Sequence, residues 1–289
     1  MKMKLFSALS VISPVFSISC ANVSNEEKLE KLVDKTYDFY PNKISTKEEK
    51  TQQNIEKIIK LVFGTDNVKK TAFLNTQNSE QHNQYMIQKL NEFKEKYKSN
   101  KTSFLKQQLE AYNKLMSDNW LWVFKNIGKF SLSFYEWLLY PDKGKGGSHS
   151  QKYKDYLSDL DYPEVDSESN YGKLFANNII DEVIESEESA EISDVTILYI
   201  RKGSNIFRVR IDQINKKLSL DSYLWGFPRK QTSSSPSLRV VNSIAHAALV
   251  HGFEYGFKEF EQAYIEKLRY GAPAKLLMFW NGGDYEKNA

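Results

Sequence analysis

The spacing of apolar residues predicts helices over residues 45–127 and a mixed region over residues 128–289. Before Gly128, apolar side chains recur three and four positions apart, as on one face of a helix. Ser45 and Thr46 followed by two glutamates indicate a helix start, and Gly64 indicates its end. The predicted helices cover about residues 46–63, 67–74, 79–98 and 102–127.

After Gly128 the period changes to two. Phe130, Leu132 and Phe134 alternate with serines, which is typical of a half-buried strand. Residues 194–212 predict a β-hairpin that turns at Gly203-Ser204, and residues 217–227 offer a third strand.

Two further helices are predicted in the second half of the chain. One covers about residues 171–184, and a long C-terminal helix runs from Pro236, capped by Ser235, to about Arg269. The predicted fold class is therefore α+β. An N-terminal helical bundle leads through an aromatic helix-to-strand junction into a small antiparallel sheet and the long C-terminal helix.

The first residues are typical of an export signal that ends in a lipobox. Lys2 and Lys4 precede an apolar run from Leu5 to Ile18, and Cys20, the single cysteine, follows the small residue Ser19. The alternative is an ordinary secretory signal with a chance cysteine. We predict lipidation at Cys20 and a membrane anchor on the outer face of the cell. The predicted organisation is a signal peptide at 1–19, an anchor and tether at 20–44, and one domain at 45–289, helical over 45–127 and mixed over 128–289.

Charge and motif content narrow the classes of partner. The formal charge is +3, and cleavage before Cys20 removes two lysines and leaves +1, so no nucleic-acid partner is expected. Lipidation would leave no thiol for disulfides or metal ligation. The sequence holds no P-loop and no dinucleotide fingerprint, so no cofactor is predicted.

Several residues that could carry chemistry favour a structural interpretation. His251 and Glu254 have helical i,i+3 spacing, but no third metal ligand is indicated and we expect no metal site. Ser103 and Lys106 match an S-x-x-K pattern without its companion motifs, so we assign them to a helix start and surface. The acidic run between Asp181 and Asp194 is interpreted as a solvated face.

The densest feature is the aromatic stretch 118–141, which holds three of the five tryptophans. Trp120 and Phe124 continue the apolar face of the preceding helix, which predicts burial in the core. Trp122 and Asn126 fall on another face, where they could close the junction or line a pocket in which an aromatic ring stacks on a ligand. We expect both indoles, of Trp120 and Trp122, to be mostly buried between helices and sheet.

This stretch resembles the aromatic motif, or aromatic cluster, membrane proteins, a family of mycoplasma surface lipoproteins. The matching residues are Asn119, Trp120, Trp122, Phe124, Asn126 and Ile127, followed by Phe130, Phe134 and Trp137 on the way to Pro141. The family motif tends to read Asn-Trp-aromatic-Trp before an Asn, and here Leu121 stands between the tryptophans. The resemblance implies a cell-surface location and transfers no catalytic residues.

Two functional hypotheses follow. The favoured one is a surface-anchored binding protein for a host macromolecule or a small molecule, such as an adhesin or a solute-capturing lipoprotein. The alternative is a surface hydrolase acting on host polymers or lipids, which two carboxylates converging in one cleft would favour.

Overall fold

The computed structural model describes residues 46–137, 177–186, 189, 194–227, 235–242, 267, 269–270 and 273–282. Within these residues, helices come first and an antiparallel sheet follows, which confirms the predicted α+β class. The helices are α1 (Lys47–Phe63), α2 (Asn67–Gln77), α3 (Glu80–Ser99), α4 (Lys101–Gln107), α5 (Leu109–Asp118), α6 (Trp120–Lys125) and the 3-10 turn η1 (Ile127–Lys129). The strands are β1 (Phe130–Trp137), β2 (Glu182–Glu185), β3 (Val195–Lys202), β4 (Asn205–Asp212), β5 (Lys217–Leu220), β6 (Tyr223–Gly226) and β7 (Ala274–Trp280).

Local signals fix the first helix as predicted. The Thr46 hydroxyl accepts a hydrogen bond from the Glu49 N–H, and the Glu49 carboxylate accepts one from the Thr46 N–H. This reciprocal pair satisfies two N–H groups that a helix start leaves unpaired. Gly64 ends α1 with a φ of +55°, a left-handed conformation that glycine adopts without strain.

The single helix predicted over 102–127 is wrong: the structure divides this segment into α4, α5 and α6. Gln108 and Asn119 separate the three helices, with φ values of −117° and −123°. The Asn119 side chain donates a hydrogen bond to the Leu115 carbonyl oxygen at 2.8 Å. A short polar side chain of this kind competes with the helical hydrogen bonds and favours a break.

The sheet has seven strands among the described residues, so it is larger than predicted. Its order is β1-β7-β6-β4-β3-β2, with β5 also pairing with β4, and all pairings are antiparallel. The predicted hairpin is confirmed as β3 and β4, and Gly203 in its turn has a φ of +58°. The segment that offered one more strand supplies two, β5 and β6.

Two predictions for the second half of the chain need correction. The helix predicted over 171–184 is wrong where the structure describes it, because residues 182–185 form β2 and pair with β3. Strand β7 was not predicted at all. It lies between β1 and β6 and most of it is buried, so after Lys275 its sequence is continuously apolar and lacks the alternation that indicates a strand.

The long C-terminal helix is not seen in the described part of the chain. Residues 238–242 are helical, and residues 243–266 lie outside the described residues. The helix begins two residues later than predicted, and the Ser237 hydroxyl accepts a hydrogen bond from the Val240 N–H at 3.5 Å. None of the helices that the structure describes combines the length and the hydrophobicity needed to cross a bilayer.

Candidate functional site

Helix α6 carries the centre of the aromatic motif, and all of its residues except the last, Lys125, are buried. Trp120 and Trp122 each expose 2% of their surface, and Phe124 exposes none. The Trp120 ring stacks on Phe73 of α2 at 5.4 Å, while Phe124 meets Phe207 of β4 edge to face at 5.9 Å. A helix that is apolar on every face apart from its last residue belongs inside a core. The predicted burial of both indoles between helices and sheet is confirmed.

Trp122 links three parts of the molecule. Its ring lies 5.1 Å from the Trp280 ring of β7, and its Nε1 donates a hydrogen bond to Asn83 Oδ1 of α3 at 3.0 Å. Its backbone N–H donates to Gln77 Oε1 at the end of α2, at 3.1 Å. Both donors are thereby satisfied without solvent, as a buried tryptophan requires.

The two asparagines of the motif organise the ends of α6. Buried Asn119 accepts a hydrogen bond from Gln77 Nε2 at 3.1 Å, in addition to its bond to Leu115. Asn126 Nδ2 donates to the Trp122 carbonyl oxygen at 3.0 Å. These contacts satisfy backbone and side-chain groups at the helix ends.

The later part of the motif lies on β1. Phe130 meets Trp280 edge to face at 5.5 Å, and Phe134 is buried with 2% exposure. Trp137 pairs with Ala274 in the β1–β7 register, and its side chain lies outside the described residues. Because Trp122 and Phe134 are both buried, they do not line an open cleft where a ligand could stack.

Other positions singled out in the sequence lie apart from this motif. Cys20, His251 and Glu254 are outside the described residues. The Ser103 N–H donates a hydrogen bond to Asn100 Oδ1 at the start of α4, as expected for a residue of a helix start. On α3, burial lowers the pKa of His82. The described part of the chain contains no group of three or more His, Cys, Asp or Glu side chains that could hold a metal ion.

The acidic run is only partly solvated. Glu182 of β2 forms an ion pair with Arg201 of β3 at 3.2 Å, and Asp181 accepts a hydrogen bond from the Gly203 N–H at 2.6 Å. Both contacts hold residues 181–182 against the β3–β4 hairpin. The carboxylates therefore stabilise the sheet edge at this end of the run.

The structure also forms a polar cluster that the sequence did not reveal, from Tyr135, Glu136, Asp221, Tyr223 and Lys275. The Lys275 ammonium bonds to Glu136 Oε1 at 2.5 Å and lies 5.3 Å from the Tyr223 ring centre and 6.0 Å from that of Tyr135. Burial raises the pKa of Asp221, although its hydrogen bond from Tyr223 opposes the shift. Burial and the nearby Asp221 charge raise the pKa of Tyr223. No sequence motif could have indicated this cluster, because its members come from β1, β6, β7 and the β5–β6 connection.

Two surface grooves of about 560 Å³ each are open to solvent. One, the serine-lined groove, lies between α3, α4, β1 and β7, where the Tyr97 and Ser133 hydroxyls are 2.8 Å apart. The other, the lysine-rimmed groove, lies between α1, α2 and α6. Its apolar floor comprises Ile55, Ile59, Leu74 and Leu121, and its rim carries Lys60, Lys70 and Lys125.

The fold and the buried motif define an α+β protein organised around an aromatic junction between helices and sheet. A family model described as aromatic cluster surface protein matches residues 31–271, and the chain belongs to that family. The resemblance seen in the motif residues is thereby confirmed, and the family description indicates a cell-surface protein. No curated protein and no solved structure gives a match.

Proposed function

We propose that this protein is a lipoprotein, anchored through Cys20 to the outer face of the cell membrane, that binds a molecule from outside the cell. The observation that carries the proposal is membership of a surface-protein family over residues 31–271. The leader with its lipobox cysteine supports the anchor. Residues 20–44 act as the tether that separates the domain from the bilayer.

Ligand binding falls to the surface grooves, because the aromatic motif is already engaged in the core. Trp120, Trp122 and Phe134 have their rings buried against other protein groups, so they offer no free face to a ligand. The two grooves have volumes within the range of about 300–1,000 Å³ that is usual for small-molecule sites. The mature charge of +1 supports a partner other than nucleic acid.

A first experiment tests the anchor. The full chain and a Cys20→Ser variant are expressed in a bacterium that processes lipoproteins, with radioactive palmitate in the medium. We expect label and membrane association for the wild type and neither for Cys20→Ser. Asn22→Ser serves as the matched control and should behave as the wild type. The lipid anchor would be contradicted if the wild type carried no palmitate label and if it and Cys20→Ser were equally associated with the membrane and equally accessible to external protease.

A second experiment tests ligand binding. The melting temperature of the purified full chain is measured against panels of sugars, nucleosides, lipids and metal ions. A ligand that binds the folded state alone raises the melting temperature in a concentration-dependent way. If no panel changes the melting temperature, small-molecule capture is contradicted and a macromolecular partner takes its place.

The polar cluster favours a second candidate function, a surface hydrolase. Glu136 and Asp221 both act electrostatically on Tyr223, and the raised pKa of Asp221 suits a general acid. This candidate predicts hydrolysis of chromogenic glycosides or esters that is abolished by Asp221→Asn and by Glu136→Gln. Equal turnover by wild type and both variants would eliminate it.

A further inference from the structure

The lysine-rimmed groove combines an apolar floor with a cationic rim. Ile55 and Leu121 are buried at its base, while Ile59 and Leu74 are partly exposed along it. Binding of an apolar chain to such a floor is favourable, because it removes apolar surface from water. The groove is formed wholly by α1, α2, α6 and the residues next to them, all of which the structure describes.

The rim carries positive charge that the described protein groups leave unbalanced. Among the described residues, neither Lys60 nor Lys70 forms an ion pair with a carboxylate, whereas neighbouring Lys69 lies 3.5 Å from Asp66. Lys70 also lies near the start of α2, where the helix dipole disfavours a cation. An anion bound between Lys60 and Lys70 would offset both effects.

The remaining polar groups of the groove show where an anion would be favoured. Lys125 Nζ is already bonded to Asn78 Oδ1 at 2.6 Å. Glu56, the one carboxylate in the lining, lies one helical turn before Lys60 and accepts a hydrogen bond from Gln52 at 2.9 Å. The groove lining therefore carries three lysines, Lys60, Lys70 and Lys125, against one carboxylate, Glu56.

We propose that the lysine-rimmed groove binds a single-chain anionic amphiphile, such as a fatty acid. Its carboxylate or phosphate head lies between Lys60 and Lys70, and its acyl chain covers Ile59 and Leu74. The groove volume of about 560 Å³ suits one such molecule. This inference rests on the proposed function, since it names the ligand class that the surface protein captures.

The test uses dodecanoate and the full chain carrying Cys20→Ser, followed by isothermal titration calorimetry. We expect saturable one-to-one binding, weakened at least about tenfold in the Lys60→Gln/Lys70→Gln double variant. The charge-matched control Lys47→Gln/Lys106→Gln changes two exposed lysines outside the groove. It should bind dodecanoate as tightly as the protein in which all four lysines are present. Equal affinity of the groove variant and the control would overturn the proposal.

Ligand analogues separate the two halves of the site. Dodecanol lacks the charge and butyrate lacks the chain, so both should bind at least about tenfold more weakly than dodecanoate. Equal binding of dodecyltrimethylammonium would overturn the role of the lysines. Binding to phosphatidylglycerol vesicles that dodecanoate does not compete away would also overturn the proposal, because it would identify a bilayer contact instead of a captured molecule.

Failure of dodecanoate binding and failure of the proposed surface function can be told apart. An acylated protein accessible on the cell surface that fails to bind dodecanoate contradicts the groove inference alone. A protein that binds dodecanoate but stays inside the cell contradicts the surface function alone.

Discussion

Replacement of Trp122 tests whether the aromatic motif is a structural element. A tryptophan side chain buried to this extent removes about 150–250 Å² from water, worth about 4–6 kcal/mol at 25 cal/mol per Å². Alanine retains part of that area, so Trp122→Ala should lower the free energy of unfolding by about 3–5 kcal/mol. Trp122→Phe keeps most of the ring but loses the hydrogen bond to Asn83, and should cost about 1–2 kcal/mol.

The measurement is equilibrium unfolding in urea, followed by far-ultraviolet circular dichroism because the substitution removes a fluorophore. Tyr85→Ala is the control: Tyr85 lies on α3 close to Asn83 but is 45% exposed, and it should change stability by less than about 0.5 kcal/mol. The phenylalanine variant keeps the test decisive if Trp122→Ala does not fold, since a domain of this kind has only about 5–15 kcal/mol of stability.

The two roles of Trp122 give opposite results. A ligand-stacking ring would cost little stability on removal and would abolish binding instead. If Trp122→Ala costs less than about 1 kcal/mol in unfolding free energy, the assignment of the motif to the core is refuted.

Three further substitutions test individual contacts through the same unfolding measurement. Gly128→Ala should cost about 1–3 kcal/mol, because its Cβ would lie 2.6 Å from the Asn177 carbonyl oxygen; an unchanged midpoint would contradict that close approach. Asn113→Ala should cost about 1–3 kcal/mol, since it removes the acceptor of the Ser222 N–H and hydroxyl; a loss below 0.5 kcal/mol would mean that another acceptor replaces it. Burial lowers the pKa of Lys202 from 10.5 to about 8, although the Asp181 charge opposes the shift. Between these values the unfolded chain holds more protons than the folded one, so wild-type stability should rise with pH relative to Lys202→Met; parallel pH profiles would refute this.

The sequence predicts those parts of the fold that form among neighbouring residues. The cap of α1 needs only Thr46 and Glu49, and the β3–β4 hairpin needs only two alternating arms around Gly203, so both are confirmed. Strand β7 and the surroundings of Trp122 depend on partners far along the chain. Local spacing does not specify that Trp122 meets Asn83 on one side and Trp280 on the other.

The candidate sites escaped prediction for a similar reason. The polar cluster joins β1, β6, β7 and the β5–β6 connection, and the lysine-rimmed groove joins α1, α2 and α6. In the sequence, Lys60 and Lys70 are two of many lysines, and no local motif marks them as part of a site. They differ only because folding places them beside an apolar floor, while Lys69 pairs with Asp66.

In this member of a surface-protein family, the aromatic motif is buried in the core. Trp120, Trp122 and Phe130 hold the helices against the sheet, so a change at any of them disturbs packing across the whole junction. Lys60 and Lys70 lie on the groove rim and take no part in these ring contacts, so their replacement by glutamine should leave that packing intact. The side chains of the groove proposed to bind a ligand can therefore change while the junction stays the same, because the two depend on different residues. It follows that the affinity for dodecanoate and the free energy of unfolding should respond to separate sets of substitutions.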